Sequence, residues 1–334
     1  MRRVGAGSGG GSRPARGVAL IVVLAALALI AFVAARFAQR IDSLRQQTAS
    51  LRDHAEQRLQ AGNAMAAAIY SVVTLPVGPA GFGPDLVPLL RADNRPYALP
   101  AGGRVQLQDL RGLYPLNAPE RASLARLLEL AQVGPRAADQ FYDVLQDYTD
   151  TDHLKRLNGA ERQEYAALGL PPPRNDWLSS VRELNRMPAW KDAPAAVALM
   201  ERLGSAARRP VLNPNTASIE LLAAVLPGAR PDQLDRLQAL RANVPFLRGE
   251  DATRATGLML ARDEYVFHLG PELRISTWAQ GSRRGLQYNV TLLPAGRDAP
   301  WLISETQPLL RAELRDTPDR ADPFPLALPA VNKP

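Results

Sequence analysis

Hydrophobic positions divide the chain into regions of different period. From Val18 to Ala35 the run is eighteen residues long, uncharged and almost wholly apolar, about the least that spans a ~30 Å hydrocarbon core as a helix. Arg36 closes it. Beyond that point Ile41, Leu44, Leu51, Ala55, Leu59, Ala66 and Ile69 recur at three- and four-residue spacings or their sums among Arg, Gln, Asp and Glu, which predicts an amphipathic continuation of the same helix. The two parts make one rod from about Val18 to Val72, on the order of 80 Å at ~1.5 Å per residue, half for lipid and half for packing on a domain.

Leu75 to Pro84 is rich in Pro and Gly and ends the helix, and Tyr97 to Leu107 then reads as a short strand with Val105 and Leu107 on one face. From Pro119 to about Leu260 the pattern is helical, with Leu124, Leu127, Leu128 and Leu130 and then Leu221, Leu222, Val225 and Leu226 as apolar runs. Strand character returns in Glu272 to Ala279, Gly285 to Leu293 and Trp301 to Thr306, separated by turn-forming segments. One strand before the helical block and three after it predict an α+β fold: a long helix packed on a small antiparallel sheet, with a large all-helical domain inserted between the first strand and the C-terminal strands. The expected organisation is a leader at 1–17, a membrane half of the helix at 18–35, an amphipathic half at 36–72, a sheet domain from 73–110 and 267–320, an inserted helical domain at 111–266, and a disordered tail at 321–334.

Charge sharpens the N-terminal reading. Arg2, Arg3, Arg13 and Arg16, with no acid among residues 1–17, carry more than half of the formal +7 charge. They place the leader on the cytoplasmic side and the C-terminal domain across the inner membrane, in the periplasm of a Gram-negative host. The remainder is near charge balance, without the excess expected of a nucleic-acid binder. Zero cysteines exclude disulfides, thiolate metal sites and thiol nucleophiles. Gly17 precedes the apolar run rather than following it, so cleavage there leaves the membrane helix attached. An ordinary signal anchor in which Gly17 means nothing is the competing reading.

Candidate chemistry is sparse. Asp147, Asp150 and Asp152, followed by Glu161 and Glu164, put five carboxylates into eighteen residues. Hard oxygen ligands at short spacing suit calcium, while Lys155 and Arg156 oppose a cation, and a helix end with solvated acids remains the alternative. His54, His153 and His268 have no metal-ligand companions at helical or hairpin spacing, and no nucleophile elbow or phosphate loop is present. The chain is therefore not expected to be an enzyme. Residues 212–241 resemble a helix-hairpin-helix unit around Pro227-Gly228-Ala229-Arg230-Pro231, in which Pro231 weakens a phosphate nest. Arg230, Arg236 and Arg241 leave a membrane-anchored DNA-binding protein as the alternative function. Against it stands a folding motif in which Asn213 and Asn215 bond a turn and Thr216 or Ser218 caps a helix.

Gly17 before an uncharged helix, the amphipathic continuation, Gly112-Leu113-Tyr114-Pro115-Leu116-Asn117, Asp147-Tyr148-Thr149-Asp150-Thr151-Asp152 with Gly159-Ala160-Glu161, Val181-Arg182-Glu183-Leu184, and Leu212-Asn213-Pro214-Asn215-Thr216-Ala217 together resemble the type IV pilin-like proteins of the type II secretion system. Within them, the chain resembles the protein K family of minor pseudopilins. That resemblance implies cleavage by a prepilin peptidase between Gly17 and Val18, methylation of the new amino terminus, calcium at Asp147, Asp150, Asp152 and Glu161, and a place at the tip of a pseudopilus. It also implies minor pseudopilins I and J, other pseudopilins and the inner-membrane secretion platform as partners, with Val22, Ile41, Leu44 and Leu51 on the subunit interface. Val22 stands where pilin-like proteins usually carry a glutamate, which fits a subunit that needs no buried carboxylate pair above it.

Overall fold

The computed structural model describes residues 16–100, 102–207, 211–261, 263–282, 284–310 and 321–325. The expected leader falls largely outside these residues. A single helix, α1, runs from Arg16 to Thr74. Its apolar N-terminal part is long and hydrophobic enough to cross a membrane, with none of it buried. The chain forms two compact units, residues 1–56 and 57–334. In the second unit, the last turns of α1 bury Ala64, Met65, Ala68, Ile69 and Val72 in a core shared with Val105, Leu107, Leu273, Ile275 and Val290. Within this unit Leu59 is exposed, so the buried stripe of α1 begins at Ala64.

A short hairpin of β1 (Gly81–Phe82) and β2 (Leu90–Arg91) leads into β3 (Asp93–Ala98) and β4 (Gly103–Asp109). The single strand expected at 97–107 is therefore a hairpin. Leu99 and Gly103 close its turn, the Leu99 carbonyl accepting from Gly102 at 3.0 Å and the Leu99 N–H donating to Gly103 at 2.8 Å. Gly103 also lets α1 approach β4, since a Cβ there would lie 2.5 Å from the Gln60 carbonyl oxygen.

After β4 the chain leaves the sheet through β5 (Tyr114–Pro115) and helices α2 (Arg121–Glu129), α3 (Pro135–Thr149), α4 (Arg162–Ala167) and α5 (Pro194–Leu203). A two-residue β6 (Gly204–Ser205) pairs parallel with β5, and α6 (Ile219–Val225), α7 (Pro231–Asn243) and α8 (Gly249–Thr256) follow. These helices enclose a second core around Leu116, Leu124, Leu145, Tyr165, Leu184 and Trp190. The chain then returns through β7 (Glu272–Ala279), β8 (Arg284–Leu292) and β9 (Trp301–Leu310). With β10 (Asp322–Pro323) added at one edge, the main sheet among the described residues has the order β10-β3-β4-β7-β8-β9. The α+β architecture is the expected one.

The tail requires a correction. Asp322–Pro323 forms β10, parallel to β3, and Phe324 is buried edge-on to Tyr97 at 6.1 Å. An aromatic that finds an apolar socket outweighs the disorder expected of a Pro-rich segment; residues 326–334 lie outside the described residues.

Candidate functional site

The acidic loop leaves the C-terminus of α3 and re-enters the fold at α4. Asp147 is fully buried and does not sit among free carboxylates. Its Oδ1 accepts from Arg156 Nη1 at 2.7 Å and its Oδ2 from the Arg156 backbone N–H at 3.1 Å. Burial pushes its pKa up, and the arginine opposes that. Arg156 also donates to Asp150. Gly159 closes over this pair, for a Cβ there would fall 1.9 Å from Asp147 Oδ2. Lys155, the other opposing cation, is turned away onto Glu164 at 2.7 Å.

What remains is a cluster of Asp150, Asp152 and Glu161, whose ligand atoms all lie within 4.8 Å of one another. Glu161 is 7% exposed, yet neither of its carboxylate oxygens has a hydrogen-bond partner, and Asp150 Oδ1 and the Tyr165 hydroxyl are likewise unpartnered. Burial first, then the charges of Asp147 and Asp150, raise the pKa of Glu161. A buried, unpaired carboxylate beside two others is costly unless a cation neutralises it, and an all-oxygen donor set suits a hard ion such as calcium. The residues fit the ion, with one change to the expected set: Asp150, Asp152 and Glu161 come together, whereas Arg156 occupies Asp147.

The other motifs are held to one another by side-chain bonds. Asn117 donates to the Leu178 and Ala206 carbonyls at 3.1 and 2.8 Å and accepts from Leu178 N–H at 2.7 Å. Glu183 accepts from the Tyr148 hydroxyl at 2.9 Å and from Ser179 N–H at 2.8 Å, joining the Val181–Leu184 segment to the acidic loop. Asn175 donates to the Asp152 carbonyl at 2.7 Å. Trp190 fills the helical core and donates Nε1–H to the Phe141 carbonyl.

The Asn-rich turn is a clasp on the sheet. Asp109, at the end of β4, is fully buried. It accepts from Asn213 Nδ2 and Thr216 Oγ1, each at 3.1 Å, from Arg111 N–H at 3.1 Å and from Gly270 N–H at 3.2 Å. One carboxylate thus ties the exit from the sheet, the return to it and the turn together. Sequence reasoning singled out Asn213 but missed Asp109, which has no local signal. Asn215 bonds Phe246 in both directions, and Ser218 caps α6 through the Leu221 N–H. Arg241, offered for DNA, is instead committed to the Ala217 carbonyl at 2.7 Å, and Arg230 pairs with Asp232.

Residues 103–203, which contain the acidic loop and two of the other motifs, match the family described as Type II secretion system (T2SS), protein K. That segment is similar to the protein K family over about a third of the chain. This agrees with the family read from the motifs, and nothing found supports the DNA-binding alternative. The chain is also similar, at 18% identity and a TM-score of 0.44, to one from the crystal structure of the GspK-GspI-GspJ complex of enterotoxigenic Escherichia coli, over 81% of this chain and 99% of that one. No curated protein matches. The protein K match with one N-terminal apolar helix fits a single-pass membrane anchor. Val22, Leu44 and Leu51 are exposed and Ile41 half-buried along α1, while Gly17 and Val18 lie within its first turn.

Proposed function

We propose that the chain is a minor pseudopilin that initiates or caps the periplasmic pseudopilus exporting folded proteins across the outer membrane, and that it carries out no chemistry of its own. The observation that carries this reading is the protein K match over 103–203, on a chain that also has the glycine-led apolar helix. In this reading a prepilin peptidase cuts between Gly17 and Val18 and the new terminus is methylated. The helix waits in the inner membrane with its N-terminus cytoplasmic, and Val22, Ile41, Leu44 and Leu51 face neighbouring subunits. Minor pseudopilins I and J are the proposed partners, and their counterparts are named in the complex to which the chain is similar.

Calcium belongs to the same proposal. Asp150, Asp152 and Glu161 would hold it, and the ion would supply charge neutralisation, fastening the loop after α3 to the start of α4. The unpartnered oxygens of Glu161 support this.

The reading is tested by intact mass and N-terminal sequence of the protein from host membranes, with and without the peptidase. A chain starting at methylated Val18, lost in peptidase-deficient cells and in Gly17→Val, is expected. Normal processing of Gly17→Val, or a chain beginning at Met1, overturns it.

A further inference from the structure

The face of the main sheet turned away from α1 is polar in register. Gln106, Ser276, Gln287 and Gln307 are aligned across β4, β7, β8 and β9. The next row on the same face runs Gln108, Arg274, Asn289 and Glu305. Buried sheet faces are ordinarily apolar, because each unpaired amide or charge removed from water costs free energy. Here Gln106, Gln287, Ser276 and Arg274 are each more than nine-tenths buried. They line a cavity of about 390 Å³, with Ala195 and Ala198 of α5 on its other side.

Arg274 gives the cavity a sign. Its Nη1 donates to the Glu201 carbonyl at 2.9 Å and its Nη2 to the Gly204 carbonyl at 2.8 Å, capping the C-terminus of α5. Its Nε–H has no partner, and neither does Gln307 Oε1. Burial lowers the Arg274 pKa to about 10, so the guanidinium stays charged at neutral pH. Among the described residues no carboxylate lies within ion-pairing distance of it. Glu305, in the same row, is committed to Ser180 Oγ at 2.5 Å and Asn289 Nδ2 at 2.7 Å. The cavity thus offers a buried cation that feels Glu305 and Glu201 but forms an ion pair with neither among the described residues, together with an unused donor on it, an unused amide acceptor, and further carboxamides and a hydroxyl in one plane.

We propose that this cavity binds a small carboxylate-bearing amide, the chemistry presented by a peptide C-terminus. The carboxylate meets the charge and free donor of Arg274, and backbone amides of the ligand exchange hydrogen bonds with the carboxamide row. Ala195 and Ala198 are exposed on α5 and leave the mouth open. None of these residues belongs to the acidic loop or to the exposed positions of α1, so the site is separate from the roles proposed above.

The test is calorimetric titration of the full-length protein in detergent with N-acetyl-alanyl-alanine, and in parallel with the same dipeptide ending in a carboxamide. Saturable binding of the free acid, weakened about tenfold or more in the carboxamide, is expected, as for loss of one buried charge-assisted hydrogen bond. Ala198→Trp covers the mouth without touching the core and abolishes the binding, and Gln287→Leu weakens it about fivefold, the loss of a neutral hydrogen bond. Both variants retain the wild-type melting temperature to within a few degrees, which a merely structural role for the row does not predict. No heat from either peptide, equal affinity for both, or full binding to Ala198→Trp shows a cavity that holds only water and overturns the proposal.

Discussion

The two faces of the main sheet are built from the same strands and solve opposite problems. On the α1 side Val105, Leu107, Leu273, Ile275 and Val290 are buried at 0–1% exposure, and stability there comes from apolar area removed from water. On the other side the residues one position along are Gln106, Gln108, Arg274 and Ser276. The inserted helices are fastened by arginine side chains rather than by grease, one on that side of the sheet and one on the separate β1-β2 hairpin. Arg274 caps the end of α5, and Arg91 donates to the Arg241 and Ala242 carbonyls at 3.0 and 2.7 Å near the end of α7. A cation at a helix C-terminus meets both unsatisfied carbonyls and the negative end of the dipole. An insert attached in this way keeps its own core around Trp190 and Tyr165, and its fold does not depend on the sheet's apolar face.

This comparison is broken most sharply at its clasp. Asp109→Ala strands the buried donors of Asn213, Thr216 and Gly270, each worth about 1–3 kcal/mol when left unpaired. It is expected to cost more than about 4 kcal/mol, measured by denaturant unfolding of the full chain. Leu107→Ala, on the apolar face, is expected to cost about 3 kcal/mol through lost transfer energy and a cavity, read as a fall in the urea midpoint with unchanged slope.

The acidic loop and the segment joined to it are expected to answer to pH in opposite directions. Glu161 has its pKa raised by burial and by Asp147 and Asp150. Its ionised form therefore weighs against folding, and that penalty is relieved as pH falls through its folded-state value. Without added cation, Glu161→Gln should raise the melting temperature at pH 7 by roughly 3 °C, a gain that fades toward acid pH; with calcium added at pH 7 the variant should instead lack any calcium-induced stabilisation. For Glu183 burial also works upward, but hydrogen bonds from Ser179, Tyr148 and Ser180 outweigh it and leave the pKa below its ordinary 4.5. Its contribution is present above that value and disappears as pH falls through the lower one, so Glu183→Gln should lower the melting temperature at pH 7 and converge with wild type in strong acid. The smallest effect is expected on the polar face. Ser276→Val exchanges a hydroxyl for a methyl beside a polar cavity, and should move stability by less than about 1 kcal/mol.

Much of the chain was legible because its signals are local. The apolar run from Val18 to Ala35 needs no partner to be recognised, and the alternation in Glu272 to Ala279 coincides with β7. The hairpin of β3 and β4 was read as one strand because Pro96 and the left-handed Asn94, with a φ of 65°, hide its first half from any alternation. In the acidic loop the clustering of carboxylates along the chain pointed to the right segment. It did not separate Asp147 from Asp150, three residues on, because that division is made by the side chain of Arg156 folding back.

The sequence by itself determined the apolar N-terminal run, the order of helical and extended blocks, and the motifs, some of which lie in the 103–203 segment that matches protein K, all of which depend on composition and period along the chain. Only the tertiary structure decided which acids are paired and which are left over, and that Phe324 belongs to the sheet. It alone also gathered four polar side chains from four strands into one row. Each of those outcomes rests on contacts between residues far apart in the chain, Asp109 with Gly270 or Tyr97 with Phe324, and no period along the sequence encodes them.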